Sequence, residues 1–196
     1  LKLFDLTVAS TGLNEAGAKA AGLEYDSVHL NAASHATYYP GAGSMDLKVV
    51  FEKQTGRILG AQLIGTQGVD KRCDVLAVAI GAGMTASDLA ELELCYAPPY
   101  SSAKDPVNMA GFAIGNLLSG RVRQFHWHEV AALAADENAL LLDVRTEWEY
   151  AKGHMPGAMN IPLDSLRARQ GELPRGKALY VYCRTGLRSY IGCRML

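Results

Sequence analysis

A cysteine stands at the tip of an apolar run in Ala178-Leu179-Tyr180-Val181-Tyr182-Cys183, with Arg184-Thr185-Gly186-Leu187-Arg188-Ser189 behind it. Residues 178–182 are rich in β-formers and read as a buried strand. Residues 189–196 then wind as a helix, with Ser189 as the expected cap. A strand that turns straight into a helix is half of a parallel α/β unit, which restricts the second part of the chain to that class. Further buried strands are expected at 139–144 and 159–162 and a short helix at 129–135. Residues 124–127 are expected to open the module as a strand, with His126 and His128 two apart and therefore on one face. In such a sheet reactive groups lie at the carboxyl ends of strands, where Cys183 falls.

At a strand-to-helix turn Cys183 would be ringed by backbone N–H groups and backed by the positive end of a helix dipole. That environment, with Arg184 and Arg188 alongside, should lower the thiol pKa from its ordinary value of about 8.5. A lowered pKa yields a thiolate, the nucleophilic form. Asp143, Arg145 and Glu149 read as an ion-pair brace for the loop, and His154 as a hydrogen-bonding turn residue.

Three blocks together resemble a rhodanese domain: Asp143-Val144-Arg145 with Glu147 and Glu149, Gly153-His154-Met155-Pro156-Gly157-Ala158-Met159-Asn160-Ile161-Pro162, and Cys183-Arg184-Thr185-Gly186-Leu187-Arg188-Ser189. The resemblance implies sulfane-sulfur transfer through a persulfide on Cys183, with Arg184, Thr185, Gly186, Leu187, Arg188 and Ser189 as the sulfur- and anion-binding loop. Four residues separate Cys183 from Arg188, the loop length of sulfurtransferases. The related phosphatase-like enzymes have one more, so sulfur transfer is expected rather than phosphate hydrolysis. Rhodanese domains continue past the active-site helix with another strand and helix, which implies a domain truncated at its C-terminus.

Residues 1–118 read as a different layer, helices against an antiparallel sheet. Strands are expected at 3–8, 27–31, 45–52 and 57–65, the last two joined by a hairpin at Lys53-Gln54-Thr55-Gly56. A short helix should follow Asn14 and end at Gly22. In residues 70–83 the apolar Val75, Leu76, Val78, Ala79 and Ala82 recur at helical spacing, with Lys71 and Arg72 at an exposed helix start. Thr85-x-x-Asp88 caps a shorter helix, and Asp105-Pro106 opens a last one running to about Ser119. The Gly-containing stretch 119–123 suits a linker to a second module at 124–196.

Thr11-Gly12-Leu13-Asn14-Glu15, Tyr38-Tyr39-Pro40-Gly41, Ile58-Leu59-Gly60-Ala61-Gln62, Asp70-Lys71-Arg72 and above all Tyr96-Ala97-Pro98-Pro99-Tyr100-Ser101-Ser102-Ala103-Lys104-Asp105-Pro106-Val107-Asn108 resemble the C-terminal dimerisation domain of flavin-dependent pyridine-nucleotide disulfide reductases. Within them the match is to coenzyme A-disulfide reductases. The resemblance implies a homodimer through 1–118 and coenzyme A contacts, across the dimer, from Tyr38 and Tyr96; Lys71 and Arg72 are candidate contacts for its phosphates, though an exposed helix start explains them equally well. A phenol suits this role, having a flat apolar face and one polar end.

The family uses FAD and NAD(P)H, yet no Gly-x-Gly-x-x-Gly turn occurs here. Those domains are therefore expected outside this chain, which opens at Leu1 as if in mid-fold. The expected whole is a flavin-dependent disulfide or persulfide oxidoreductase, reducing coenzyme A disulfide, coenzyme A persulfide or polysulfide, joined to a rhodanese sulfurtransferase domain. The alternative is a dimerisation and sulfur-binding module without turnover.

Composition excludes other classes. Charged residues are 20% of the chain with a net charge of -1, and there is no basic stripe for nucleic acid. No apolar run reaches the roughly 18 residues of a membrane span. The 4 cysteines include no C-x-x-C pair and no histidine cluster at metal spacing, so no metal is expected and a reducing, cytoplasmic setting fits. Cys73 and Cys95 read as buried, inert thiols.

Overall fold

The computed structural model describes all 196 residues, which form two compact units, Leu1–Arg121 and Val122–Leu196. No helix is long and apolar enough to cross a membrane.

The first unit runs β1 (Lys2–Leu3), β2 (Leu6–Gly12), α1 (Glu15–Ala20), β3 (Tyr25–Ala33), β4 (Ser44–Glu52), β5 (Ile58–Gly65), α2 (Val69–Gly81), α3 (Ala86–Glu91) and α4 (Pro106–Leu118). Its strands make one antiparallel sheet in the order β1-β2-β5-β4-β3. Alternation decides which face is buried: Met45, Leu47, Val49 and Phe51 of β4 lie beside Ile58, Ala61 and Leu63 of β5 in one core, under Leu76 and Ala79 of α2 and Val107, Ala110 and Ile114 of α4. Three of the four helix starts are capped by side chains as their sequence dictates, α2 beginning instead at Gly68 without a side-chain cap. Asn14 accepts from Gly17 N, Thr85 and Asp88 form a capping box, and Asp105 and Asn108 form another around Pro106. Gly60 is required by a close approach: a Cβ there would lie 2.0 Å from the carbonyl oxygen of Leu13.

Three expectations for this unit are corrected. The strand read at 3–8 is a hairpin, with Leu3 paired to Leu6 and Phe4 at φ 50 in the turn. The buried stripe of α2 is Val69, Arg72, Cys73, Leu76 and Ala79, whereas Val78 is 69% exposed. Arg72 is thus not at an exposed helix start but a charged member of the buried stripe. Cys95 is exposed and only Cys73 is buried, because Cys95 follows the end of α3 in a loop.

The second unit begins with a 3₁₀ turn at Trp127–Glu129 and continues α5 (Val130–Ala135), β6 (Ala139–Asp143), α6 (Glu147–Ala151), β7 (Met159–Asn160), α7 (Leu163–Arg169), β8 (Ala178–Tyr182) and α8 (Leu187–Met195). Its sheet is parallel, in the order β7-β6-β8. Successive residues face opposite sides, so both faces are covered. Leu142 and Val181 pack with Ile161 and Leu166 on one side, while Leu141 and Tyr182 pack with Val130, Leu133 and Tyr150 on the other.

The expected strand at 124–127 does not form. The Glu129 carboxylate accepts the His126 backbone N–H at 2.6 Å and draws the segment into the 3₁₀ turn, where the rings of His126 and His128 stack at 5.6 Å. Helices α6 and α7 carry no periodic signal in the sequence. Five and seven residues long, they hold too few turns for a repeat to show.

Candidate active site

Cys183 follows the last residue of β8, and the chain turns through Gly186 at φ 100 into α8. That left-handed conformation suits glycine, which has no Cβ to clash. It allows the loop to close under the sulfur: Gly186 N donates to Cys183 Sγ at 3.1 Å. Ser189 is not the cap that its position suggested. It lies in the first turn of α8, where its Oγ is 3.6 Å from Sγ and donates to Gly186 O at 2.8 Å.

The Cys183 thiol is pulled below its ordinary pKa against a cost of burial. Burial raises it; the Ser189 hydroxyl and the N–H groups of Ser189, Thr185 and Gly186 lower it by more. Hydrogen bonds to the thiolate therefore do what the two arginines were expected to do. Arg184 is exposed. Arg188 is held elsewhere, its Nη1 and Nη2 donating to Glu149 Oε2 and Oε1 at 2.7 and 2.8 Å. Ser189→Ala is expected to shift the pH midpoint of Cys183 alkylation upward, because the side-chain hydrogen bond that lowers the thiol pKa is lost; the rate of iodoacetamide labelling against pH measures it.

Glu149 has a second task. Its Oε2 also accepts from Thr146 N and Oγ1, each at 3.0 Å, closing the capping box of α6. The Arg188 guanidinium first, then these donors, hold its carboxyl well below the usual carboxylate range. Thr146-x-x-Glu149 is the local sequence signal for this cap.

Asp143 and Arg145 form a separate brace. Arg145 Nη2 donates to Asp143 Oδ2 at 2.6 Å and to Gly153 O at 2.8 Å, and Asp143 is fully buried. Arg145 also lies over the Tyr182 ring. Burial is the main cause that pushes the Tyr182 phenol up to about 12. His154 stacks on Tyr150 and hydrogen-bonds Tyr150 O at 3.0 Å, a turn residue as expected.

In the first unit, Tyr38 lies between β3 and β4 and Tyr96 between α3 and α4. Their hydroxyls meet at 3.3 Å, and both rings are exposed. The bond from Tyr96 raises the Tyr38 phenol pKa. Lys71 is half-buried. Arg72, named with it as a phosphate contact, is 1% exposed and paired with Asp105, so it has no free face for an anion.

Residues 1–106 match the family described as pyridine nucleotide-disulphide oxidoreductase, dimerisation domain. The chain belongs to the pyridine nucleotide-disulphide oxidoreductase family. Residues 126–196 match the rhodanese-like domain. It is 43% identical over 112 residues to the coenzyme A disulfide reductase of Staphylococcus epidermidis, an alignment covering 57% of this chain and 25% of that protein. The structure of reduced Bacillus anthracis CoADR-RHD superposes with a TM-score of 0.95 at 50% identity, over 99% of this chain and 35% of that one. A NAD-dependent persulfide reductase from A. fulgidus does so with a TM-score of 0.86 at 42% identity, over 99% and 34%. The fold is thus a pyridine nucleotide-disulphide oxidoreductase dimerisation domain followed by a rhodanese-like region, and the chain spans about a quarter to a third of the length of these relatives.

The family is FAD- and NAD(P)H-dependent. Every buried polar side-chain atom of this chain already has a hydrogen-bond partner. No orphaned donor marks a cradle for flavin or nicotinamide among these residues.

Proposed function

We propose that this chain is the dimerising and sulfur-carrying part of a reductase of coenzyme A disulfide, coenzyme A persulfide or polysulfide, with Cys183 as the persulfide carrier. The observation that carries the reading is the Cys183 sulfur, half-buried at the carboxyl edge of a parallel sheet and hydrogen-bonded by Gly186 N at 3.1 Å. Those donors stabilise a thiolate before reaction and a persulfide anion after it.

With thiosulfate as donor, the thiolate attacks the outer sulfur. A new S–S bond forms on Cys183, the donor S–S bond breaks, and sulfite leaves with the electron pair. With polysulfide the leaving group is a polysulfide shorter by one sulfur. In both cases the terminal sulfur carries the negative charge within reach of the loop donors. The four-residue interval between Cys183 and Arg188 also favours this chemistry over phosphate hydrolysis.

Tyr38 and Tyr96 are the coenzyme A contacts in this reading. Their meeting hydroxyls supply two adjacent hydrogen-bonding tips above exposed aromatic faces. The partners are a second copy of the chain, through the first unit, and a coenzyme A thiol derivative. FAD and NAD(P)H belong to the reductase as a whole.

The test is intact mass after incubation with polysulfide, followed by peptide mapping and cyanide treatment. A gain of one sulfur on Cys183, removed by cyanide as thiocyanate, supports the carrier role. A Cys183 that gains no sulfur from polysulfide or thiosulfate defeats it.

A further inference from the structure

Two loops far apart in sequence present the phenol pair, and one buried guanidinium touches the base of both. Arg72 Nη2 donates to Ser34 O at 2.8 Å, at the start of the loop that carries Tyr38. The same nitrogen donates to Asp105 Oδ2 at 2.8 Å, while Ser101 Oγ donates to that oxygen at 2.6 Å; these residues end the loop that carries Tyr96. Longer contacts reach Tyr100 O at 3.5 Å and Ser101 Oγ at 3.4 Å, and Nη1 donates to Gly68 O at 3.2 Å. Gly68 leaves the space this requires: a Cβ there would lie 2.1 Å from Arg72 Nη1.

Each loop is tied by internal hydrogen bonds around its anchor and its tyrosine. In the first, Gly43 N donates to Ser34 Oγ at 3.1 Å, and His35 bridges Ser34 Oγ to Pro40 O. In the second, Tyr100 N and Ser101 N both donate to Ala97 O, at 2.8 and 3.1 Å. Movement at either anchor is therefore passed to the phenol it supports.

We propose that Arg72 is a positioning residue for the coenzyme A contact, fixing the Tyr38 and Tyr96 loops against each other so that their hydroxyls meet. This rests on the reading of the two tyrosines as that contact. A planar guanidinium is needed because it donates in several fixed directions at once. Lysine keeps the charge but, as a point donor, cannot hold Ser34 O, Gly68 O and Asp105 in one plane. A site loosened in this way loses binding because its groups are no longer pre-organised.

The experiment is Arg72→Lys in the full chain, with folding checked by circular dichroism and the tyrosines followed by NMR through an alkaline titration. Tyr38 is expected to titrate lower than in the parent, toward the ordinary phenol value near 10, as its bond to Tyr96 is lost. Affinity for free coenzyme A, the probe, is expected to fall on the order of tenfold, with sulfur loading of Cys183 unchanged. Ser101→Ala is run beside it, with smaller shifts in the same directions expected, so that an unfolded lysine variant still leaves a folded chain to judge. Folded variants in which Tyr38 titrates as in the parent overturn the positioning role. Coenzyme A affinity unaffected by Tyr38→Phe and Tyr96→Phe overturns the reading of the site instead, while the phenol titration continues to judge Arg72.

Discussion

Cys183→Ser is expected to abolish sulfur uptake, by a factor on the order of a thousand or more, while the melting temperature and the coenzyme A affinity stay as they were. The selectivity of this loss follows from the geometry. The loop donors stabilise an anion, but a serine hydroxyl does not ionise near neutral pH, and a nucleophile that stays protonated cannot open an S–S bond. The substitution is small, and Cys183 is only partly buried at the end of β8, so core packing in the second unit is preserved. The phenol pair belongs to the other compact unit. Mass spectrometry of the polysulfide-treated variant, with calorimetry for melting and coenzyme A binding, gives the three readings. Sulfur retained by the serine variant would mean that another thiol is the acceptor.

The largest stability effect is expected at Asp105→Ala. Its carboxylate accepts from Arg72 Nε at 3.1 Å and Nη2 at 2.8 Å, from Ser101 Oγ at 2.6 Å and from Val107 N at 3.1 Å. Arg72 and Asp105 are 1% and 2% exposed. Removing the carboxylate strands a buried guanidinium and uncaps α4, at a cost of about 3–5 kcal/mol. Against a typical total of about 5–15 kcal/mol this is a large share, and the urea midpoint of the first unit should fall accordingly. Replacing both partners, as Arg72→Met with Asp105→Leu, should cost less, since no charge is left alone.

The same pair sets an acid limit. Burial raises the Asp105 pKa, but Arg72, Ser101 and Val107 lower it by more, so it lies below the ordinary value in the folded chain. A depressed carboxylate stabilises the fold fully above its unfolded pKa of about 3.9, and that contribution disappears as pH falls through the folded value. The Asp105→Ala variant should lack this part of the acid transition.

Much of the fold was legible. Strands β4 and β5 were readable because one face alternates apolar residues, and α3 and α4 because Thr85, Asp88, Asp105 and Pro106 are local cap signals. Arg72 was not legible, because apolar periodicity cannot flag a charge that is buried by a partner 33 residues away. The 3₁₀ turn at Trp127–Glu129 was missed for a related reason: β-propensity at Phe125 and Trp127 yielded to one carboxylate. At the candidate site, Cys183 and its loop stood out by order and spacing, and Tyr38 with Tyr96 by resemblance. What sequence did not reveal was direction. Arg188 turns to Glu149 rather than to the sulfur, and Ser189 lies in the first turn of α8 beside the sulfur rather than at the cap position.

The grip of Glu149 on Arg188 bears on how the sulfur site responds to its surroundings. With Arg188 paired to Glu149 and Arg184 exposed, the hydrogen bonds that meet the sulfur come from amide dipoles and one hydroxyl. Such groups neither titrate across the physiological range nor gather counter-ions, and their field acts over a few ångströms inside a partly buried site. A sulfur cradle of this kind keeps its hold on an anion when ionic strength changes, where one built on unpaired arginines would weaken.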